Sequence, residues 1–141
     1  MDDLNYFGFV DGASWHTRNL ASAAWVLYYP TGQLMVSRGV CIGPTSNNMA
    51  DYTVVINLLP EAISHEIDVL VVHPDSQLIV SQLNYIYHVR DPCLYHQYFR
   101  VRLLQISFTY INYLHIPRSH NCLADFITNQ ALDWHIIHSS Q

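Results

Sequence analysis

Hydrophobic positions follow two different periods along this chain. Toward the N-terminus, apolar and aromatic runs alternate with short polar breaks: Tyr6–Ser14, Ala23–Tyr29 and Leu34–Ile42. Runs of that length, bounded by turn formers, predict strands. Pro30, Thr31 and Gly32 separate the second run from the third, so those two form an antiparallel hairpin. The first strand joins the same meander, and 15–19 reads as the loop between. Past Gly43 the period changes. Asp51, Val54, Val55 and Leu58 recur at i, i+3, i+4 and i+7, one face of a helix. Asn47 or Asn48 is placed to cap it, which puts Asp51 on its first turn. Pro60 is expected to kink or shorten it, with 61–64 continuing.

The second half repeats the strand and helix signals. Ile67–Val72 is a β-branched run, the fourth strand, ended by His73, Pro74 and Asp75. A helix follows from Ser76 to Tyr87, with Ile79, Leu83 and Ile86 on one face. Strand, turn and helix in that order imply a crossover and parallel pairing. Cys93–Leu104 reads as a further helix, its aromatic content leaving strand open; Ile106–Ile116 is the fifth strand. Cys122–Ile137 is a last helix, apolar at Leu123, Ile127, Ala131 and Trp134. The expected fold is α/β (α+β in some schemes). It is a mixed five-stranded sheet whose first three strands form an antiparallel meander, with helices packed on it.

Composition narrows the class. A chain of 141 residues is most simply one domain, 1–141, large enough for a core. Half the residues are hydrophobic and 12% charged, which excludes a disordered chain. No apolar run reaches the roughly 18 residues that span a bilayer. The start Met1-Asp2-Asp3-Leu4-Asn5 is too acidic for a signal peptide. Three cysteines without CxxC spacing, with Cys41 as a small buried hydrophobe, predict reduced thiols. The expected setting is therefore intracellular, nuclear or cytoplasmic, and not secreted. There is no lysine, and six arginines face eleven acids for a formal charge of −5. That excludes a binder working through a broad basic face. It leaves room for one whose acids are offset by divalent cations.

The acids carry the candidate chemistry. Asp11 closes the first apolar strand and precedes a small turn residue. A carboxylate so near a core costs several kcal/mol unless it is paired or bound to a cation. Asp51, Asp75 and Asp125 recur at later element boundaries. Each alone has a structural explanation. Asp75 suits a helix cap, and Asp51 and Asp125 suit helical first turns. Asp2, Asp3, Asp68 and Asp91 lack a comparable context. His65, His73, His88 and His96 show no zinc spacing, whereas oxygen ligands suit a hard cation. The expectation is that Asp11, Asp51, Asp75 and Asp125 converge on metal ions.

Together, FVDGAS, TSNNMADY, VVHPDSQLIV and IPRSHNCLAD, in this order, resemble the ribonuclease H family. The plant and archaeal-like branch found in retroelements is the best match. The resemblance implies an endonuclease that hydrolyses the RNA strand of RNA–DNA hybrids with two Mg2+ ions, Mn2+ substituting. Such ions, about 3.5–4 Å apart, clamp the scissile phosphate. By the same resemblance Asp11 bridges both ions, Asp125 completes the site of the water-activating ion, and Asp75 and Asp51 serve the other. The family has Glu where this chain has Asp51, a methylene shorter. In the family this acid also touches a ribose 2′-hydroxyl. Misplacement of about 1 Å costs about a hundredfold in rate, so the resemblance implies weakened activity.

Asn47, Asn48 and Gln77 match family positions that touch the hybrid's minor groove, where 2′-hydroxyls distinguish RNA. Capping by the Asn pair and a solvated first turn for Gln77 are the structural alternatives. Ser14 is placed with these substrate contacts. Arg118 suits a phosphate or an acid of the site. His120 matches a loop His that moves protons or aids product release in some members. Members that bind hybrids tightly carry a basic extension, which this chain lacks. Affinity is expected to be weak and salt-sensitive, with neighbouring domains of a retroelement polyprotein supplying the rest. Two other readings stand beside this one. The first is a catalytically silent scaffold or binding module, favoured by Asp51, the missing lysine and ten tyrosines. The second is the same fold cutting structured DNA or single strands.

Overall fold

A computed structural model describes residues 5–15, 20–74 and 76–116. The predicted meander is present as β1 (Tyr6–Trp15), β2 (Leu20–Tyr28) and β3 (Leu34–Cys41), antiparallel in sequence. The β2–β3 turn closes where Pro30 and Gly32 place it. Gly32 takes φ +91°, and its N–H donates to the Tyr29 carbonyl at 2.8 Å. Such a left-handed position favours glycine. β4 (Val69–Pro74) lies parallel to β1, and β5 (Tyr110–Tyr113) parallel to β4, giving the order β3-β2-β1-β4-β5. β1 is thus the central strand, as its apolar run implies.

α1 (Asn47–Ser64) packs its Val54, Val55, Leu58 and Leu59 row on β1 and β2, where Val10, Ala23, Trp25 and Leu27 are buried. α2 (Gln77–Leu83) is short and follows β4, and α3 (Pro92–Gln105) packs against α1. The buried Tyr52 hydroxyl donates to Gln82 Oε1 at 2.6 Å, joining α1 to α2. Burial pushes the Tyr52 hydroxyl pKa well above its ordinary value. Arg102 lies 4.0 Å from the Tyr85 ring centre and 4.7 Å from that of Tyr98, and donates to the Leu83 carbonyl, tying α3 to the end of α2.

Pro60 sits inside α1 and the helix continues to Ser64, as expected. Other expectations change. The helix after β4 stops at Leu83 rather than Tyr87, because Tyr85 turns left-handed (φ 65°) and leaves Ile86 and Tyr87 exposed. β5 is four residues long, shorter than the 106–116 run, because α3 continues to Gln105 and 106–109 form its exit. The Cys93–Leu104 segment is helix, with Pro92 at its start and the Asp91 side chain accepting from the Cys93 and Leu94 N–H groups. Cys41 is half-buried, its thiol directed at the Ala21 carbonyl at 3.4 Å. The last helix expected over 122–137 lies outside the described residues.

Candidate active site

β1 does not end at Asp11, and Gly12 is not a turn residue: the strand runs to Trp15, paired with β2 throughout. What ends there is the other neighbour. The last β1–β4 pair is Val10 with Pro74, so Asp11 is the first residue of β1 beyond the end of β4. Ligands of open α/β sheets bind beyond the carboxyl ends of parallel strands, and Asp11 stands at such a place. Its neighbour on β2 is Ala24, and the side chain is 1% exposed.

Gly12 brings the second acid to the same point. A Cβ on Gly12 would lie 2.7 Å from the Ala50 carbonyl carbon and 2.8 Å from the Asp51 nitrogen. Only glycine lets the α1 backbone come this close to β1. At that contact the Gly12 N–H donates to Asp51 Oδ1 at 3.1 Å. Asp51 therefore meets the peptide that joins Asp11 to Gly12, which sets the two acids at neighbouring positions. The close approach of a helix backbone explains the DG pair at 11–12, whose glycine the sequence reading took for a turn. An apolar strand continuing past Gly12 to Ala13 was the available signal.

The structural alternatives for two acids are removed. Ser46 caps α1, its side chain accepting from the Met49 N–H at 3.2 Å. Neither Asn47 nor Asn48 is the cap. Both lie within the first turn, Asn47 exposed and Asn48 half-buried. With the helix starting at Asn47, Asp51 falls in the second turn, and no acid occupies the first. A macrodipole role fades within one turn and does not account for it. Ser76 caps α2, accepting from the Ile79 N–H at 3.4 Å, so the capping role open to Asp75 is filled by its neighbour. Gln77 is exposed at the start of α2, its side chain donating to Ser81 Oγ at 3.2 Å.

Asp75 follows Pro74 in sequence and lies, like Arg118, His120 and Asp125, outside the described residues. Ser14 is within β1, opposite Ala21. Among the described residues no three His, Cys, Asp or Glu side chains come together. The candidate donors on Asp11 and Asp51 are carboxylate oxygens, which fit a hard divalent cation and suit a soft metal poorly. His73 lies on β4 opposite Phe9, its ring 4.9 Å from the Phe9 ring and Nδ1 3.2 Å from the Leu114 carbonyl. Burial lowers its pKa, and the Leu114 carbonyl opposes that shift.

The family model for reverse transcriptase-like proteins matches residues 9–131. Ribonuclease HI of Halobacterium salinarum is 34% identical over 89% of this chain, and the chain spans 63% of that protein's length. A crystal structure of RNase H1 from the same archaeon aligns with TM-score 0.87, covering 92% of this chain and 98% of that one. The N-terminal RNase H domain of a Mycobacterium tuberculosis protein, solved as a maltose-binding-protein fusion, aligns with TM-score 0.90 at 27% identity, covering 96% and 99%. The chain spans a quarter of the full mycobacterial protein. LC11-RNase H1, from a compost metagenome and solved with an RNA/DNA hybrid, aligns with TM-score 0.87 at 26% identity, covering 93% and 99%.

Proposed function

Since this chain belongs to the ribonuclease H family, we propose that it hydrolyses the RNA strand of RNA–DNA hybrids at the end of the β1–β4 pair. The observation that carries the reading is the meeting of Asp11 and Asp51 through the Gly12 N–H, beyond the last β1–β4 pair. Gly12 allows this approach, and the contact sets a buried strand acid and a helix acid at neighbouring positions. The LC11 relative holds an RNA/DNA hybrid, and the Halobacterium relative is a ribonuclease HI; both support the substrate and the reaction.

Asp11 and Asp51, with Asp75 and Asp125 contributed by segments outside the described residues, form the proposed ligand set for two Mg2+ ions, Mn2+ substituting. When bound, such ions lower the pKa of a water and stabilise the leaving oxygen of an in-line displacement. The remaining work belongs to side chains. Asp11 is buried on β1 just beyond the end of β4, the place from which it would hold a cation. Asp51 is held on β1 by the Gly12 N–H, so its position is set by the α1–β1 contact. Asn47, Asn48 and Gln77, at the starts of two helices, are the proposed contacts to the minor groove, with Ser14 beside them. Arg118 is assigned to a phosphate and His120 to proton movement. The fourfold-acid site, with Asp51 one methylene short of Glu, implies weaker turnover than a Glu-bearing relative. Affinity from neighbouring domains, such as those of a retroelement polyprotein, and an intracellular setting complete the proposal.

The test is cleavage of a labelled RNA–DNA hybrid at low salt in Mg2+ and then Mn2+, beside Asp11→Asn. RNA-strand products that vanish in the variant support the reading. Folded protein that cleaves in neither metal, and whose unfolding neither metal alters, establishes the silent scaffold instead. Preferential cleavage of single strands or structured DNA overturns the substrate assignment alone.

A further inference from the structure

α3 is apolar on both sides. Leu94 and Val101 are buried against the core, while Tyr95, Phe99, Leu103 and Ile106 are 53%, 51%, 53% and 76% exposed. These four follow i, i+4, i+8 and i+11, one continuous stripe on the solvent side. Single exposed apolar residues need no explanation, whereas a contiguous row does. Along one edge of the stripe, between α3 and the second half of α1, runs a groove of about 390 Å³ lined by Ile56, Asn57, Pro60, Arg100, Leu103 and Leu104.

Arg100 is the charged residue that lines this groove. The nearest acids of the stretch are committed elsewhere: Asp91 accepts from the Cys93 and Leu94 N–H groups, and Asp68 from Thr109. Arg102 is committed to the Tyr85 and Tyr98 rings and the Leu83 carbonyl. Arg100 is exposed at the groove, with a 3.4 Å contact to Gln97 on its own helix. A second copy of this chain docked α3 to α3 would offer Arg100 only Asp91, whose carboxylate already accepts from the Cys93 and Leu94 N–H groups. A nucleic-acid strand would find few cations and two exposed aliphatic side chains, Leu103 and Ile106. A partner whose apolar row is flanked by carboxylates fits both the stripe and Arg100.

We propose that the α3 face and the α1–α3 groove bind an amphipathic helix of a protein partner, with leucine-like residues in the groove and an acidic flank on Arg100. Helix-in-groove binding reads apolar anchors at this spacing. Arginine together with tyrosine and phenylalanine is the composition of interface centres. This surface is separate from the Asp11–Asp51 site, and its occupancy does not depend on the chain's hydrolytic activity.

The probe is a labelled synthetic helix of about 18 residues with leucines on one face and glutamates along its flank. Fluorescence anisotropy on the whole chain reads its affinity, beside a Glu→Gln peptide, a Glu→Lys peptide and a single-stranded DNA oligonucleotide. The acidic peptide is expected to bind at least tenfold tighter than its Gln counterpart. Arg100→Glu should lose that preference and gain binding of the Lys peptide, a swap that a misfolded variant does not give. Leu103→Asp should weaken both peptides. Equal binding of the acidic and Gln peptides, binding unchanged in Arg100→Glu, oligonucleotide binding lost in that variant, or self-association lost in Leu103→Asp would each overturn the proposal.

Discussion

The two halves of α1 each present a carboxylate to the sheet, and they are met in different ways. Near the C-terminal end, Glu61 Oε1 accepts from the Arg38 guanidinium on β3, Oε2 lies 3.5 Å from His65, and the Trp25 indole N–H is 3.4 Å away. Near the N-terminal end, Asp51 accepts the Gly12 N–H at the place where β1 carries the buried Asp11. A guanidinium brings a counter-charge, and so Glu61 is a fastener between helix and sheet. Asp51 takes a backbone N–H of the strand next to the buried Asp11, and carboxylate oxygens so placed suit a hard cation. One helix thus separates a structural acid from a chemical one, and the contrast is open to direct tests.

The largest effect is expected at Asp11. Asp11→Asn keeps the volume of the side chain and removes its charge. Hybrid cleavage should fall by at least about a hundredfold while circular dichroism stays native. A variant that cleaves within tenfold of the wild type would end the distinction between the two ends of α1. Gly12→Ala comes next. Its Cβ would meet backbone, at 2.7 Å from the Ala50 carbonyl carbon, and no side-chain rotation relieves that contact. Overpacking of this kind costs about 1–3 kcal/mol, and α1 must move to accommodate it. Both the thermal midpoint and turnover should drop. If turnover survives, the position of Asp51 is not set by the α1–β1 contact.

A smaller effect is expected at Asp51, where the resemblance implies a Glu. Asp51→Glu extends the carboxylate by one methylene. If the short side chain limits the site, turnover should rise, by up to about a hundredfold for a correction on the 1 Å scale. The Gly12 N–H bond restrains the shorter acid, so the gain need not reach that bound. An unchanged or lower rate would mean that Asp51 is the residue this site requires.

How far the sequence carried these conclusions follows from where the physics is local. β1 to β3 and the β2–β3 turn were readable because apolar runs and Pro30-Thr31-Gly32 act over a few neighbours. α3 was readable from Cys93 to Leu104, yet Asp91 was set aside as lacking a context and proved to be its cap. The opposite error occurred at Asn47 and Asn48, good caps in isolation that Ser46 supersedes by one residue. The helix end at Leu83 was hidden because it depends on Tyr85 turning left-handed under the Arg102 side chain, a partner 17 positions on. Asp11 and Asp51 are two of the four acids singled out in the sequence, and the structure brings them to neighbouring positions. Their link through Gly12 was not legible, because it arises from a helix backbone reaching a strand 39 positions earlier.

The mildest test concerns the fastener. Arg38 holds the Glu61 carboxyl below its ordinary pKa of 4.5, with Trp25 and His65 adding to the effect and burial opposing it. A depressed acid contributes stability that is fully present above its unfolded pKa and is lost as pH falls through the folded value. Glu61→Gln should therefore lower the thermal midpoint by a few degrees near neutrality, and the gap to wild type should close below about pH 4.5. Arg38 is 55% exposed, so solvent and salt screen the pair, and the same gap should narrow in high salt. Hybrid cleavage by Glu61→Gln, measured well below its midpoint, should match the wild type. A loss of cleavage without a loss of stability would place Glu61 with Asp51 and erase the division of labour along α1.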